Sequence, residues 1–368
     1  MTLKVTVSER VLHFKQPAGT SRGVYTTRKS WFVHLSDGER EGVGECAPLP
    51  DLSCDAIPNY GEVLQGFCDD VCRTGQIDYE ALRPYPSMLF GLETAMLDLR
   101  SQELGDRSQE RGVLFDTAFT RGEVGIKING LVWMGSYEEM LQRMEEKLEK
   151  GFSCVKLKIG AIDFERELDL VKLIRQRFSF HDVELRLDAN GAFSMESGDG
   201  SQESGDRSQE SGALYKLELL SQYAIHSIEQ PIRQKQWAFM AELCRESPLP
   251  IALDEELIGV NDPEMKTHML SIIKPRYIVL KPSLHGGMAG CREWIAAAKE
   301  MGIGSWITSA LESNIGLNAI AQFTSDVYGD HIRMPQGLGT GQLFTDNIPM
   351  PLEIRGERLW RQKIEKRT

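Results

Sequence analysis

Five short apolar runs in this 368-residue chain each end in a charged residue. Lys158 closes SCVKLK, Asp188 closes VELRLD, Glu229 closes AIHSIE, Asp254 closes PIALD and Lys281 closes YIVLK. An apolar run of about four to eight residues reads as a buried strand, and a charge at its end is delivered to the rim of a sheet. Between the runs lie amphipathic stretches with helical spacing, such as SYEEMLQRMEEKLEKG and DFERELDLVKLIRQRF. Strand–helix alternation of this kind predicts βαβ units and a parallel sheet. From Lys158 to Asp188 is 30 residues, from Glu229 to Asp254 is 25, and from Asp254 to Lys281 is 27. A (β/α)8 barrel of about 250 residues averages about 31 per unit, and such barrels carry functional groups at the C-terminal ends of their strands. The interval from Asp188 to Glu229 is 41, but it contains the sixteen-residue stretch SGDGSQESGDRSQESG (Ser197–Gly212). GDRSQE recurs at 105–110. Neither copy has an apolar period, so both read as disordered loop insertions. Without the longer one the interval is 25, which restores the barrel pitch.

Residues 1–55 alternate with period 2 and read as strands, and 56–104 switch to helical spacing, which predicts a compact α+β domain. The expected organisation is α/β overall. An α+β capping domain covers 1–125, with a low-complexity insertion near 101–112. A barrel, (β/α)8-like or (β/α)7β, covers 126–345, with an insertion near 197–212. A tail, 346–368, is expected to pack back on the cap.

With 42 Lys plus Arg against 54 Asp plus Glu, the net charge is −12, and no basic stripe invites nucleic acid. No apolar run approaches the roughly 18 residues of a membrane span, and MTLKVTVSER lacks the apolar core of a signal peptide. Seven scattered cysteines read as reduced thiols. These features predict a soluble, cytoplasmic protein whose partner is a small molecule, not nucleic acid or membrane.

Three carboxylates on one rim suit a hard divalent cation, which takes oxygen ligands; magnesium fits them, whereas zinc would favour His or Cys. Lys156 and Lys158 lie two apart on a strand and share a face, with Val155 and Leu157 facing the helices. The same parity turns Arg186 and Glu184 inward below Asp188. A carbon acid beside a carboxylate resists deprotonation because its enediolate carries two negative charges, and a dication on Asp188, Glu229 and Asp254 would offset them. The dication, with Lys156 and Lys281, would favour a depressed pKa at Lys158 and hence a neutral base. GLGTGQLF (Gly337–Phe344) lacks the Lys-Ser/Thr ending of a P-loop and the strand–helix setting of a dinucleotide site.

The pieces GVGECAPLPDLS, CVKLKIG, LRLDANGAFS, HSIEQPI, PIALDEELIG, LKPSLHGGMAG, ITSALESNIGLNAIAQ and PQGLGTGQLF cover most of the chain. In them the chain resembles the enolase superfamily, and within it the o-succinylbenzoate synthases of menaquinone biosynthesis. The resemblance implies a Mg²⁺-dependent syn-dehydration of 2-succinyl-6-hydroxycyclohexa-2,4-diene-1-carboxylate to 2-succinylbenzoate by a hydro-lyase. It implies Lys158 as the base that then protonates the departing hydroxyl, and Lys281 as a cation on the opposite face of the ring. Lys156 would support the carboxylate and lower the pKa of Lys158. Asp188, Glu229 and Asp254 would bind Mg²⁺, with Asn190 and Glu255 in support. The substrate's succinyl tail would meet Ser309, Ser313 and their turn, with Asn190 also in contact with substrate. The loop Lys15–Val24 and the segment GECAPLPDLS would act as lids. Two lysines on opposite faces also suit an N-succinyl-amino-acid racemase or a dipeptide epimerase. A non-catalytic Mg²⁺-binding scaffold is the third reading, although two buried ammonium groups beside a cation serve no scaffold.

Overall fold

The computed structural model describes residues 3–20, 23–102, 112–194 and 212–362. Most of each expected insertion therefore lies outside the described residues. The chain opens with three antiparallel strands, β1 (Lys4–Thr20), β2 (Gly23–Ser36) and β3 (Glu41–Cys46), paired in that order. Helices α1 (Tyr60–Thr74), α2 (Tyr79–Leu82) and α3 (Pro86–Ser101) complete the cap. Helix α3 lies close on β3: a Cβ on Gly44 would sit 1.8 Å from the Gly91 carbonyl oxygen, and one on Gly91 2.1 Å from the Cys46 Sγ. Only glycine permits this approach. The small core beneath includes Val33, Leu35, Leu64, Leu92 and Ala95.

The barrel follows as β4 (Ile126–Lys127), β5 (Gly130–Val132), α4 (Tyr137–Glu149), β6 (Cys154–Lys158), α5 (Phe164–Arg177), β7 (Glu184–Asp188), α6 (Ala213–Ser221), β8 (Ser227–Glu229) and α7 (Trp237–Glu246). It continues with β9 (Ile251–Leu253), α8 (Pro263–Ile273), β10 (Tyr277–Leu280), α9 (Gly287–Glu300), β11 (Gly304–Ile307) and α10 (Asn314–Tyr328). Helix α4 starts where the sequence supplies a capping box: Ser136 accepts from the Glu139 N–H while the Glu139 carboxylate accepts from the Ser136 N–H. Strands β5 to β11 form one seven-stranded parallel sheet in sequential order. Val155, Leu157, Leu185, Leu187 and Ile228 are fully buried in the main core, beside Leu168, Val171 and Ile174 of α5.

The ring closes through an irregular eighth segment. Gln336 bridges Ile128 and Gly337 bridges Thr308, both in parallel, so the chain around 336–337 lies between the end of β11 and the start of the sheet. The Gly337 N–H donates to Ile307 O at 2.9 Å, and the Ser309 N–H donates to Gly337 O at 3.1 Å. This is the capped (β/α)7β architecture. It explains the glycine that opens GLGTGQLF: a Cβ on Gly337 would lie 2.1 Å from the Thr308 Oγ1. Gly337→Ala should lower stability by about 1–3 kcal/mol through overpacking of the closing seam. A thermal midpoint equal to that of the parent protein would contradict this.

Three expectations need correction. The tail does not return chiefly to the cap. Strands β12 (Leu352–Arg355) and β13 (Arg358–Arg361) pair with each other and then with β4, on the barrel. The cap is touched just before them: Lys15 N–H donates to Leu343 O at 2.8 Å, Thr345 N–H to His13 O at 2.9 Å, and His13 N–H to Asp346 Oδ1 at 2.8 Å. The cap also gives way to the barrel earlier than residue 125. The Leu114 N–H donates to Gln322 of α10 at 2.7 Å, and Ala118 and Phe119 are buried, Phe119 within the barrel core. Finally, Lys15–Val24 is not an open loop. It is the end of the β1–β2 hairpin, with Ala18 opposite Tyr25 and Thr20 opposite Gly23, and Ser21 and Arg22 lie outside the described residues. Pro17 falls inside the register shift between His13 and Ala18, where a residue without an N–H is tolerated.

Two cap glutamates fasten the domains together. Glu45 of β3 accepts the backbone N–H groups of Ser313 and Gly316 at 2.9 Å each, at the start of α10. Glu93 of α3 accepts the N–H groups of Met288 at 2.5 Å and Ala289 at 2.9 Å, at the start of α9. Each carboxylate thereby meets otherwise unpaired donors at the positive end of a helix. Burial nevertheless pushes the Glu93 carboxyl up to about 7, against those two N–H groups. A carboxyl whose pKa is raised on folding contributes stability at low pH and loses that contribution as pH rises through the folded value. Glu93→Gln should therefore flatten the pH dependence of the melting temperature across roughly pH 4.5 to 7. Parallel profiles for parent and variant would refute this assignment.

Candidate active site

The parallel register builds the site. Lys158 lies opposite Asp188, and Asp188 opposite Glu229, so three neighbouring strands present their final side chains side by side. Asp254 follows β9, and Lys281 follows β10. The order around the rim is lysine, three carboxylates, lysine. Asp188, Glu229 and Asp254 are each buried, with one oxygen from each lying within 4.8 Å of the others.

The lysines hold these carboxylates. Lys156 Nζ lies 2.9 Å from Asp188 and also contacts Glu229. Lys158 Nζ lies 3.0 Å from Asp188 Oδ2 and donates to Asn190 Oδ1 at 2.7 Å. Lys281 Nζ donates to both oxygens of Asp254, at 2.7 and 2.6 Å. Burial opposes charge on Asp188, Glu229, Glu255, Lys156 and Lys281, and the outcome differs from one to the next. At Asp188 the neighbouring Lys156 and Lys158 overcome burial and hold the carboxyl well below its usual range. At Glu229 burial wins over Lys156 and, with Asp188 and Asp254 adding repulsion, the carboxyl rises to about 7. Glu255, buried beside Asp254 and facing Lys281, also rises to about 7. The ammonium groups of Lys156 and Lys281 gain more from their carboxylates than burial costs them, so both sit above the ordinary lysine value.

The donor set fits a hard dication. Glu229 Oε1 is buried with no hydrogen-bond partner among the described residues, and it belongs to a cluster of three crowded carboxylates. An oxygen-only trio of this kind is the chemistry of a magnesium-type ion, not of zinc.

A cavity opens onto the rim, lined by Lys156, Lys158, Asp188, Asn190, Glu255 and Lys281. Its remaining wall includes Tyr25, Leu49 and Leu52 from the cap and Trp133, Ser309, Leu311 and Thr340 from the barrel. The Trp133 ring centroid lies 5.8 Å from Lys158 Nζ. Asn190 bridges Lys158 and Glu255, donating to Glu255 Oε1 at 2.8 Å. Ser309 lines the cavity and is hydrogen-bonded to Thr340. Ser313 does not. Its hydroxyl donates to Glu45 and accepts from the Ile315 N–H, so it is the N-cap of α10 and is not placed to meet a substrate. Arg186 and Glu184 form an ion pair beneath the site, with Arg186 stacked 4.5 Å over Trp306. The segment GECAPLPDLS reaches the cavity through Leu49 and Leu52.

Gln230 went unnoticed in the sequence because it follows a more conspicuous glutamate. Its buried amide accepts from the N–H groups of Asp254 and Glu256 and donates to Ile232 O at 2.9 Å. It thus ties the end of β8 to the turn that carries Asp254.

The enolase C-terminal domain-like family matches residues 139–359, and the MenC N-terminal domain matches residues 20–99. An o-succinylbenzoate synthase of Desulfotalea psychrophila is 44% identical over 94% of this chain and 95% of its own length. The chain belongs to the o-succinylbenzoate synthase family of the enolase superfamily. A second synthase of the family, from Vibrio cholerae, is 26% identical over 89% of this chain and 86% of its own. The crystal structure of MenC from Desulfotalea psychrophila superimposes with a TM-score of 0.77 at 39% identity, covering 98% of this chain and 100% of that one. A dipeptide epimerase from Enterococcus faecalis, complexed with Mg and a dipeptide, gives 0.80 at 18% identity, covering 99% and 98%, and shows shared fold alone. Among the described residues, no helix is long and apolar enough to cross a membrane.

Proposed function

We propose that this chain catalyses the syn-dehydration of 2-succinyl-6-hydroxycyclohexa-2,4-diene-1-carboxylate to 2-succinylbenzoate, with Mg²⁺ held by Asp188, Glu229 and Asp254. The observation that carries this is the rim itself, with two lysines flanking three buried carboxylates and Lys158, Asp188 and Lys281 lining one cavity, in a chain 44% identical to a synthase of that name. When bound, the cation offsets the negative charge that builds on the substrate's carboxylate as the adjacent carbon loses its proton. Its ligands would be Asp188, Glu229 and Asp254, the carboxylates beside which Lys158 and Lys281 line the cavity.

Lys158 takes the proton from the ring carbon that bears the carboxylate. The bonding pair left on the ring then expels the hydroxyl from the neighbouring carbon, and the Lys158 ammonium returns its proton to that oxygen, releasing water. No external proton source is needed, because base and acid are one residue on one face. Lys281, anchored by Asp254, presents its positive charge across the ring from Lys158. Asn190 holds Lys158 in line. Ser309 and Thr340 offer hydroxyls to the succinyl tail, and Leu49 and Leu52 help exclude water from above.

The epimerase-like fold keeps one rival in view, a 1,1-proton transfer between the two lysines. Incubation in D2O separates the readings. Dehydration yields 2-succinylbenzoate, whereas racemisation of an N-succinyl amino acid leaves deuterium at its α-carbon. Faster α-exchange than dehydration would favour the rival.

A further inference from the structure

Arg28 of β2 is 2% exposed, a buried cation at the seam between cap and barrel. Its hydrogen bonds run to backbone carbonyls on both sides of that seam. Nη1 donates to Pro48 O at 2.9 Å, and Nη2 donates to Ala47 O and to Ala310 O, the latter at 3.3 Å. Ala47 and Pro48 lead into the cap segment that places Leu49 and Leu52 on the cavity wall. Ala310 belongs to a barrel turn that also lines the cavity. The Ala310 peptide unit is held at both ends, since its N–H donates to Glu312 at 2.7 Å. Its neighbour Leu311 adopts φ 66°, a left-handed conformation that a bulky residue holds only where its surroundings enforce it. Leu49, Ala310 and Leu311 pack into one apolar cluster with Leu52 and Trp133.

Burying a cation on carbonyls is costly, and a planar guanidinium repays it by spanning several acceptors in fixed geometry. We propose that Arg28 is a positioning residue, clamping the cap segment 47–52 against the turn 309–311 and so fixing the cavity wall that receives the unreacting tail of the substrate. The identity of that substrate rests on the function proposed above; the clamp does not.

The test is Arg28→Met beside Arg28→Lys, read by steady-state kinetics on the diene acid and by amide hydrogen exchange. Arg28→Met should raise KM about tenfold or more while kcat falls less than about threefold, because uniform binding is lost and the lysines are untouched. Exchange should accelerate in 47–53 and 309–313 but not in β6–β9. Arg28→Lys keeps the charge but cannot fork to both loops, so it should fall between parent and Met variant. Unchanged exchange in both segments would overturn the proposal, as would a kcat loss at constant KM. If the parent protein turns over no diene acid, the functional reading fails and the exchange pattern still decides the clamp. If the Met variant does not fold, the Lys variant carries both readouts.

Discussion

Lys158→Ala is expected to lower kcat by at least about 10³, the upper part of the range for removing a group that acts as both base and acid. The protein should remain folded. Lys158 Nζ is held by Asp188 and Asn190 and lies over the Trp133 face, and Asp188 keeps Lys156 at 2.9 Å when Lys158 is gone. Truncation therefore leaves no buried carboxylate unpaired, so the usual large stability cost of breaking a buried pair does not arise. Kinetics on a variant whose melting temperature matches the parent are the check. Residual activity within tenfold of the parent would move the base elsewhere, and Lys281 would be the next residue to test.

The second large effect concerns the carboxylates. Glu229→Gln should abolish turnover and remove the protein's thermal response to Mg²⁺ together. In the parent, adding the ion to a hundredfold excess over its Kd should stabilise the fold by about 2.7 kcal/mol. Glu229 is the place to intervene because its Oε1 has no partner among the described residues, whereas Asp188 and Asp254 have both carboxylate oxygens hydrogen-bonded or ion-paired. Glutamine keeps the volume and removes one charge from a crowded trio. A variant that still melts higher with Mg²⁺ would place the ion on other ligands. Chelation of the parent by EDTA should reproduce the loss of turnover and reverse on adding the ion back.

The candidate rim was legible where charged residues follow a strand's own period. Lys156, Lys158, Asp188, Glu229, Asp254 and Lys281 could be read because each is an ionisable residue in or just after an apolar run, spaced at a barrel's pitch. What stayed hidden depends on contacts between distant segments. Arg28 sits in a strand of mostly partly exposed residues and reads as a solvated charge, yet its acceptors lie 19, 20 and 282 positions away. Glu93 and Glu45 look like ordinary helix and strand carboxylates until α9 and α10 come to rest on them. Ser313 misled because a hydroxyl in a turn after a strand serves equally well as a helix cap, and Glu45, 268 positions earlier, decides between the two. The tail misled for a related reason: Leu343–Asp346 does touch the cap, but β12 and β13 then find the open edge of β4. The low-complexity insertions left the barrel legible because they fall between elements and leave the strand–helix order intact.

The most direct test of the central claim is the ultraviolet change when purified, Mg²⁺-loaded protein meets the cyclohexadiene acid. The diene absorbance should disappear with stoichiometric formation of 2-succinylbenzoate, a change suppressed by EDTA and absent in Lys158→Ala. A folded, Mg²⁺-responsive protein that leaves the diene spectrum unchanged would contradict that claim.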